Sequence, residues 1–235
     1  MALDYDGSDD YVTYSGVLGS LARPCIMFGW VYRDTTANNM VLIANRTGNA
    51  ANVGWGMETK TTSASDVGFV KYGAVEIASG LTITNATWTF CVCEIQPAGG
   101  NNNKVKCFHV TTDGTVTSAL SSNTTAISTG TDSLRTGNCR GPAGAFADDY
   151  DGKYAWIAVM EGTPAAMTDN EILGLSKCPF RLFGYGRPDF FSPQEGSSTV
   201  ENYGDQGGTG TITGTVTKFA GNPPIPHMSL FISGF

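Results

Sequence analysis

Alternation with a period of two runs through most of this chain. In "PCIMFGWVYR" (24–33), Ile26, Phe28, Trp30 and Tyr32 fall on one face, with Cys25, Met27 and Val31 on the other. "TWTFCVCEI" (87–95) sets Trp88, Phe90 and Val92 against Cys91, Cys93 and Ile95, and "KVKCFHV" (104–110) and "KYAWIAVME" (153–161) continue the pattern. "NMVLIAN" (39–45) is apolar almost throughout. Successive side chains of a strand point to opposite sides, so this period predicts strands. Apolar residues on both sides predict strands covered on both sides, as in the middle of a layered β-fold. The clusters "DGSDD", "RTGNAANVG", "QPAGGNNN" and "TTDGT" separate the strands. "QPAGGNNN" reads as a hairpin loop and Asp113-Gly114 as a tighter hairpin.

One segment breaks the period. "AMTDNEILGLSKCP" (166–179) predicts a short helix: Thr168 and Glu171 form a capping box, and Met167 and Ile172 stand where a hydrophobic staple places them. Lys177 suits the last turn and Pro179 ends it. Beyond it the texture is Gly- and Pro-rich with scattered aromatics. Residues 179–235 therefore read as an extended arm, with one hairpin in "GTGTITGTVTKF" (208–219) and a polyproline-like spacer in "NPPIP". The expected division is a β-sandwich over 1–178 and an arm over 179–235 that packs on the sandwich or on neighbouring subunits.

Composition narrows the partners. Of 235 residues 41% are hydrophobic and only 15% charged, so the surface is uncharged-polar, and the formal net charge is −7. Nucleic acid and anionic membranes both require basic patches, so neither is expected as a partner. The sequence holds no apolar run of the length a membrane helix needs. The opening residues are acidic where an export signal is basic and then apolar, which leads to the expectation of a protein made and kept in a cytoplasm or released by lysis. The six cysteines, Cys25, Cys91, Cys93, Cys107, Cys139 and Cys178, are irregularly spaced and read as reduced, buried thiols. Cys91-x-Cys93 and Cys107-x-His109 could converge on one ion from adjacent strands, but zinc knuckles place their cysteines on tight turns with two-residue spacers, so alternating core positions are the favoured reading.

The order of these pieces resembles the concanavalin A-like, laminin-G-like jelly roll. Members often begin "L-x-F-D-G-x-D-D-Y-V", matched here by Leu3, Asp6, Gly7, Asp9, Asp10, Tyr11 and Val12, and continue with a strand like "CIMFGWVYR". Later come "FADDYDGKYAWIAVMEG" (146–162) and the helix "MTDNEI" (167–172), which resemble the family's closing strand and helix. The resemblance covers residues 1 to about 178. It implies an all-β, two-sheet antiparallel sandwich with one short helix and a C-terminal arm. It also implies that the opening turn is a β-hairpin, with Tyr5 and Tyr11 packing and its acidic tip in solvent. "LSKCPFRLF" (175–183) is similar to a stretch found after this helix in laminin-G-like proteins of tailed bacteriophages.

Three functions are weighed. Hydrolysis of glycosides needs two carboxylates across the bond, and no Glu-x-Asp-x-x-Glu string occurs. A serine triad has only His109 and His227 to draw on, so no enzyme is expected. A sugar-binding module would use Asp148, Asp149 and Asp151 for Ca²⁺ and Trp55 as a stacking platform. The favoured expectation is a phage virion protein that decorates the capsid. It would bind the major capsid protein or copies of itself, as a trimer, through Phe190, Phe191, Phe219, Leu230, Phe231, Ile232 and Phe235. No resident cofactor is expected, with Ca²⁺ and a glycan as the alternative's ligands.

Overall fold

A computed structural model of the chain describes residues 2–14, 25–35, 40–45, 55–59, 67–71, 75–77, 80–95, 105–120, 133–140, 146–147, 149–161, 167–178, 189–193, 199–202, 208–219 and 223. In chain order its strands are β1 (Ala2–Asp6), β2 (Tyr11–Tyr14), β3 (Cys25–Arg33), β4 (Val41–Ala44), β5 (Trp55–Thr59), β6 (Val67–Lys71), β7 (Val75–Ile77), β8 (Thr89–Ile95) and β9 (Val105–Thr111). They continue with β10 (Val116–Leu120), β11 (Leu134–Thr136), β12 (Cys139–Arg140), β13 (Phe146–Ala147) and β14 (Asp151–Glu161). The helix α1 (Asp169–Lys177) precedes β15 (Asp189–Pro193), β16 (Thr199–Asn202), β17 (Thr209–Thr213) and β18 (Thr217–Phe219).

Apart from β12 and β13, which pair with each other, these strands make two antiparallel layers. The first runs β10-β9-β8-β3-β14 and the second β16-β17-β2-β11-β4-β5-β6-β7, with β15 pairing both β14 and β16 so that the ladder passes from one layer to the other. The far edge of β14 is divided between two partners: β1 borders Asp151–Tyr154 and β15 borders Ile157–Val159. A bulge separates the halves, with Trp156 in the left-handed region at φ 56°.

The double-faced alternation has a direct structural counterpart. Met27, Val31, Cys91, Cys93, Tyr154 and Val159 meet Val12, Tyr14, Leu42, Met57 and Leu134 in the core between the layers. The opposite face of the same strands, with Ile26, Phe28, Trp30, Phe90, Phe108 and Met160, packs under α1 through Met167, Ile172 and Leu175. Both capping-box hydrogen bonds are formed: Thr168 N–H donates to Glu171 Oε2 at 2.7 Å and Glu171 N–H to Thr168 Oγ1 at 3.3 Å. Trp30 Nε1 then holds the helix end by donating to the Ser176 carbonyl at 3.1 Å.

Two expectations change. The opening stretch is not a hairpin, because β1 joins the first layer through β14 while β2 joins the second through β11 and β17. Residues 7–10 cross between layers. Nor do residues 208–219 form a hairpin: β17 pairs β16 and β2, whereas β18 pairs β1, so this segment makes the same crossing beside the first. The described part of 179–235 thus lies on the chain's own sandwich. The reason is that a strand with unpaired N–H and C=O groups gains a full ladder by adding to an available edge.

Candidate functional site

Among the described residues, three places on the sandwich draw attention for the side chains they bring together. The first is the double crossover. Asp6, Asp9 and Asp10 are, among the described residues, the trio of His, Cys, Asp or Glu whose ligand atoms all lie within 4.8 Å of one another. Asp10 is buried at 1% exposure and accepts Asp6 N–H at 2.9 Å on Oδ2, while its Oδ1 accepts the Thr215 main-chain N–H. Asp6 accepts the Ser8 hydroxyl at 2.7 Å and the Thr215 hydroxyl at 2.9 Å, and these donors push its pKa down. Gly214, at φ +82°, allows the approach, since a Cβ there would lie 2.4 Å from Asp10 Oδ1. With both oxygens of Asp6 and of Asp10 already holding N–H or O–H donors, the trio fits a clamp between the two crossovers better than a calcium cage.

The second place is the outer side of the second layer. Val12, Tyr14 and Val200 point into the core, so their alternating neighbours Tyr11, Thr13 and Thr199 point out. Register then builds a row across four strands: Thr199 opposite Thr211, Thr211 opposite Thr13, and Thr13 opposite Arg135. Thr213 stands opposite Tyr11 in the next row. The Arg135 guanidinium sits 5.2 Å from the Tyr11 ring centroid, a cation–π distance. Thr211 and Thr213 are exposed; Tyr11, Thr13, Arg135 and Thr199 are half-buried. A flat aromatic–guanidinium pair edged by hydroxyls, which both donate and accept, suits a ligand rich in hydroxyl groups.

The third is a hollow of about 110 Å³ between α1 and the β9–β10 hairpin, lined by Trp30, Thr111, Thr112, Asp113, Leu173 and Lys177. Asp113 is committed there, accepting Thr111 Oγ1 and, at 3.0 Å, Thr115 N–H, which lowers its pKa. Ligand sites usually offer at least roughly 300 Å³, so this hollow admits one small group at most.

The sequence candidates fall differently. Asp148 lies outside the described residues. Asp149 accepts Asn138 Nδ2 at 3.4 Å, and Asp151 pairs in register with Asp6 beside the crossover. Trp55 is on β5, with its side chain outside the description. Phe190 and Phe191 pair in register with Ala158 and Ile157, and Phe219 with Ala2; their side chains, and Leu230, Phe231, Ile232 and Phe235 altogether, lie outside it. The cysteine–histidine set is brought onto one face, Cys91 opposite His109 and Cys93 opposite Cys107. It does not close around an ion: no three of these atoms lie within 4.8 Å of one another. His109 Nδ1 instead donates to the Thr82 carbonyl at 3.2 Å, and burial pushes the ring's pKa down to about 4. Sequence reasoning missed the Tyr11–Arg135 face. Its signal was the Thr-x-Thr and Tyr-x-Thr alternation around residues 11–14 and 209–213, which marks an outward polar face only once the partner strands are known.

No protein-family model matches the chain, and no curated protein sequence matches it. Solved structures do. A candidate carbohydrate-binding protein from Bacteroides ovatus is similar over 94% of this chain at 12% identity and a TM-score of 0.61; the chain spans 61% of that protein's length. The CBM40 of the Ruminococcus gnavus IT-sialidase, bound to α2,3-sialyllactose, matches 74% of this chain and 97% of its own at 12% identity and a TM-score of 0.52. A heptameric SAP-like pentraxin from Limulus polyphemus matches 75% of this chain and 82% of its own, at 13% identity and a TM-score of 0.51. At such identities the likeness speaks for architecture, and with the strand order it establishes a concanavalin A-like jelly-roll sandwich of two antiparallel sheets with one short helix.

Proposed function

We propose that this chain is a non-catalytic carbohydrate-binding module that holds its glycan on the outer face of the second layer, on Tyr11, Arg135 and the threonine row. The observation that carries the reading is the shared architecture: 94% of the chain follows a candidate carbohydrate-binding protein, and its sandwich follows nearly the whole of a CBM40 bound to sialyllactose. The Tyr11–Arg135 pair adds local chemistry, since pyranose rings present C–H faces to aromatic rings and hydroxyl edges to guanidinium and threonine donors. Binding is calcium-independent in this reading, because the acidic trio is occupied in clamping the crossovers.

The capsid-decoration expectation loses ground on two counts. The strands described between 189 and 219 complete the chain's own sandwich, and none of the solved structures named above is a virion protein. A glycan array probed with the full chain, with and without a calcium chelator, tests the proposal. Selective binding that persists in chelator and is lost in both Tyr11→Ala and Arg135→Ala supports it. An array with no selective signal, or binding that neither substitution weakens, refutes it.

A further inference from the structure

We propose that Cys93 and Cys107 are the site of a cross-strand disulfide, closed when the protein meets an oxidising disulfide such as oxidised glutathione. The two residues are direct register partners on β8 and β9, and their Sγ atoms lie 3.5 Å apart. Directly opposed residues of an antiparallel pair have Cα atoms roughly 4.5 or 5.5 Å apart, and both spacings fall inside the range that a disulfide spans. Contraction of the sulfur separation to about 2.05 Å is a side-chain rotation, so the strands keep their register. Both thiols face the core between the layers, at 1% and 2% exposure. Cys91, the nearest competitor, stands opposite His109 and its thiol is turned toward the Thr89 carbonyl at 3.9 Å.

The chemistry balances without a further co-reactant. One protein thiolate attacks the oxidised glutathione disulfide and expels a glutathione thiolate. The second protein thiolate then attacks the mixed disulfide and expels the other glutathione. Two protein thiols are oxidised to one disulfide, one small disulfide is reduced to two thiols, and the protons follow the departing thiolates. Burial places the reaction outside the closed fold. It proceeds during folding, or when β10, the last strand of its layer among the described residues, separates from β9. Once the sheet has closed again, the bridge is shielded from reductant by the packing that first hid the thiols.

The inference is independent of the glycan reading and is tested on the full chain. Protein is refolded from urea in a glutathione redox buffer, alkylated and digested with trypsin without reduction. Cleavage after Lys71, Lys104, Lys106 and Arg135 puts Cys93 on the peptide 72–104 and Cys107 on 107–135. The expected product is these two peptides joined, two hydrogens lighter than their sum, with fragmentation placing the link at Cys93 rather than Cys91. The bridge closes a loop of about 15 residues, so the oxidised protein should show an unfolding equilibrium shifted toward the folded state by roughly two orders of magnitude. That shift should vanish when reductant is present while the chain is unfolded. In Cys107→Ala, refolding in the same buffer should bring no gain over that variant's own reduced form. Full alkylation of both thiols after refolding, a link to Cys91 or another cysteine, or an equal gain in Cys107→Ala would overturn the assignment.

Discussion

Asp10 accepts both the main-chain N–H and the hydroxyl of Thr215, 205 residues further along the chain. The pair ties the first passage between the layers to the last one described. Replacing Asp10 by Ala strands the Asp6 and Thr215 N–H groups beside a buried site, a loss on the order of 2–3 kcal/mol. Asp10→Asn keeps an acceptor and should cost less. Urea unfolding of the two variants checks this, and an Asp10→Ala midpoint equal to the parent's would show that the crossovers hold without the clamp.

Glycan affinity should follow the cation–π pair rather than charge alone. Arg135→Lys keeps a cation but loses the planar fork that lies on the Tyr11 ring. It is expected to weaken binding about tenfold, roughly 1.4 kcal/mol, with Arg135→Ala weaker still and Tyr11→Phe close to parent. Titration calorimetry against the best array ligand, beside thermal melts showing unchanged folding, separates a binding effect from a folding one.

His109 makes stability depend on pH. Its folded pKa lies near 4, below the ordinary 6.5, because burial opposes the charged ring. At pH above the ordinary value both folded and unfolded chains hold the ring neutral and nothing is lost. As pH falls from about 6.5 to about 4, the unfolded chain takes up a proton that the folded chain refuses, and stability declines by a total on the order of 3 kcal/mol. Asp6 and Asp113, whose carboxyls are held below their ordinary value by hydroxyl and N–H donors, act in a separate window under 3.8. Urea midpoints measured between pH 7.5 and 4.5 should therefore fall in the parent and stay nearly level in His109→Gln.

Gly29 sits mid-strand on β3, where a Cβ would come within 2.3 Å of Tyr154 Cε1. The Tyr154 ring, buried at 1% exposure, fills the space a side chain would take. Gly29→Ala is expected to destabilise by about 1–3 kcal/mol through overpacking, and pairing it with Tyr154→Leu should recover part of the loss. A Gly29→Ala protein that melts with the parent would mean the ring has somewhere else to go.

The layered body was legible because its signals are local. Alternation in residues 24–33, 87–95 and 153–161 encodes which side chains face which way, and the Thr168–Glu171 box with its Met167–Ile172 staple encodes a helix start. What lay beyond the sequence was pairing between distant segments. "DGSDD" and "GTGTITGTVTKF" both carry hairpin-like composition, yet each connects two layers, and their shared geometry depends on Asp10 meeting Thr215. The Tyr11–Arg135 face stayed hidden for the same reason, since residues 11, 135 and 211 become neighbours only through register. The aspartates at 148–151 drew notice as a run in sequence, whereas the compact acidic trio is Asp6, Asp9 and Asp10.

The pairing of β1 with β18 sets an order on how this protein can be born. Ala2 leaves the ribosome more than two hundred residues ahead of its partner Phe219. Until then the amino-terminal strand waits with one side open, as does Tyr11–Tyr14 until Gly210 and its neighbours emerge. Closure of both layers therefore waits on strands made long after β1 and β2, and the waiting strands are the segments a holding chaperone would be expected to cover.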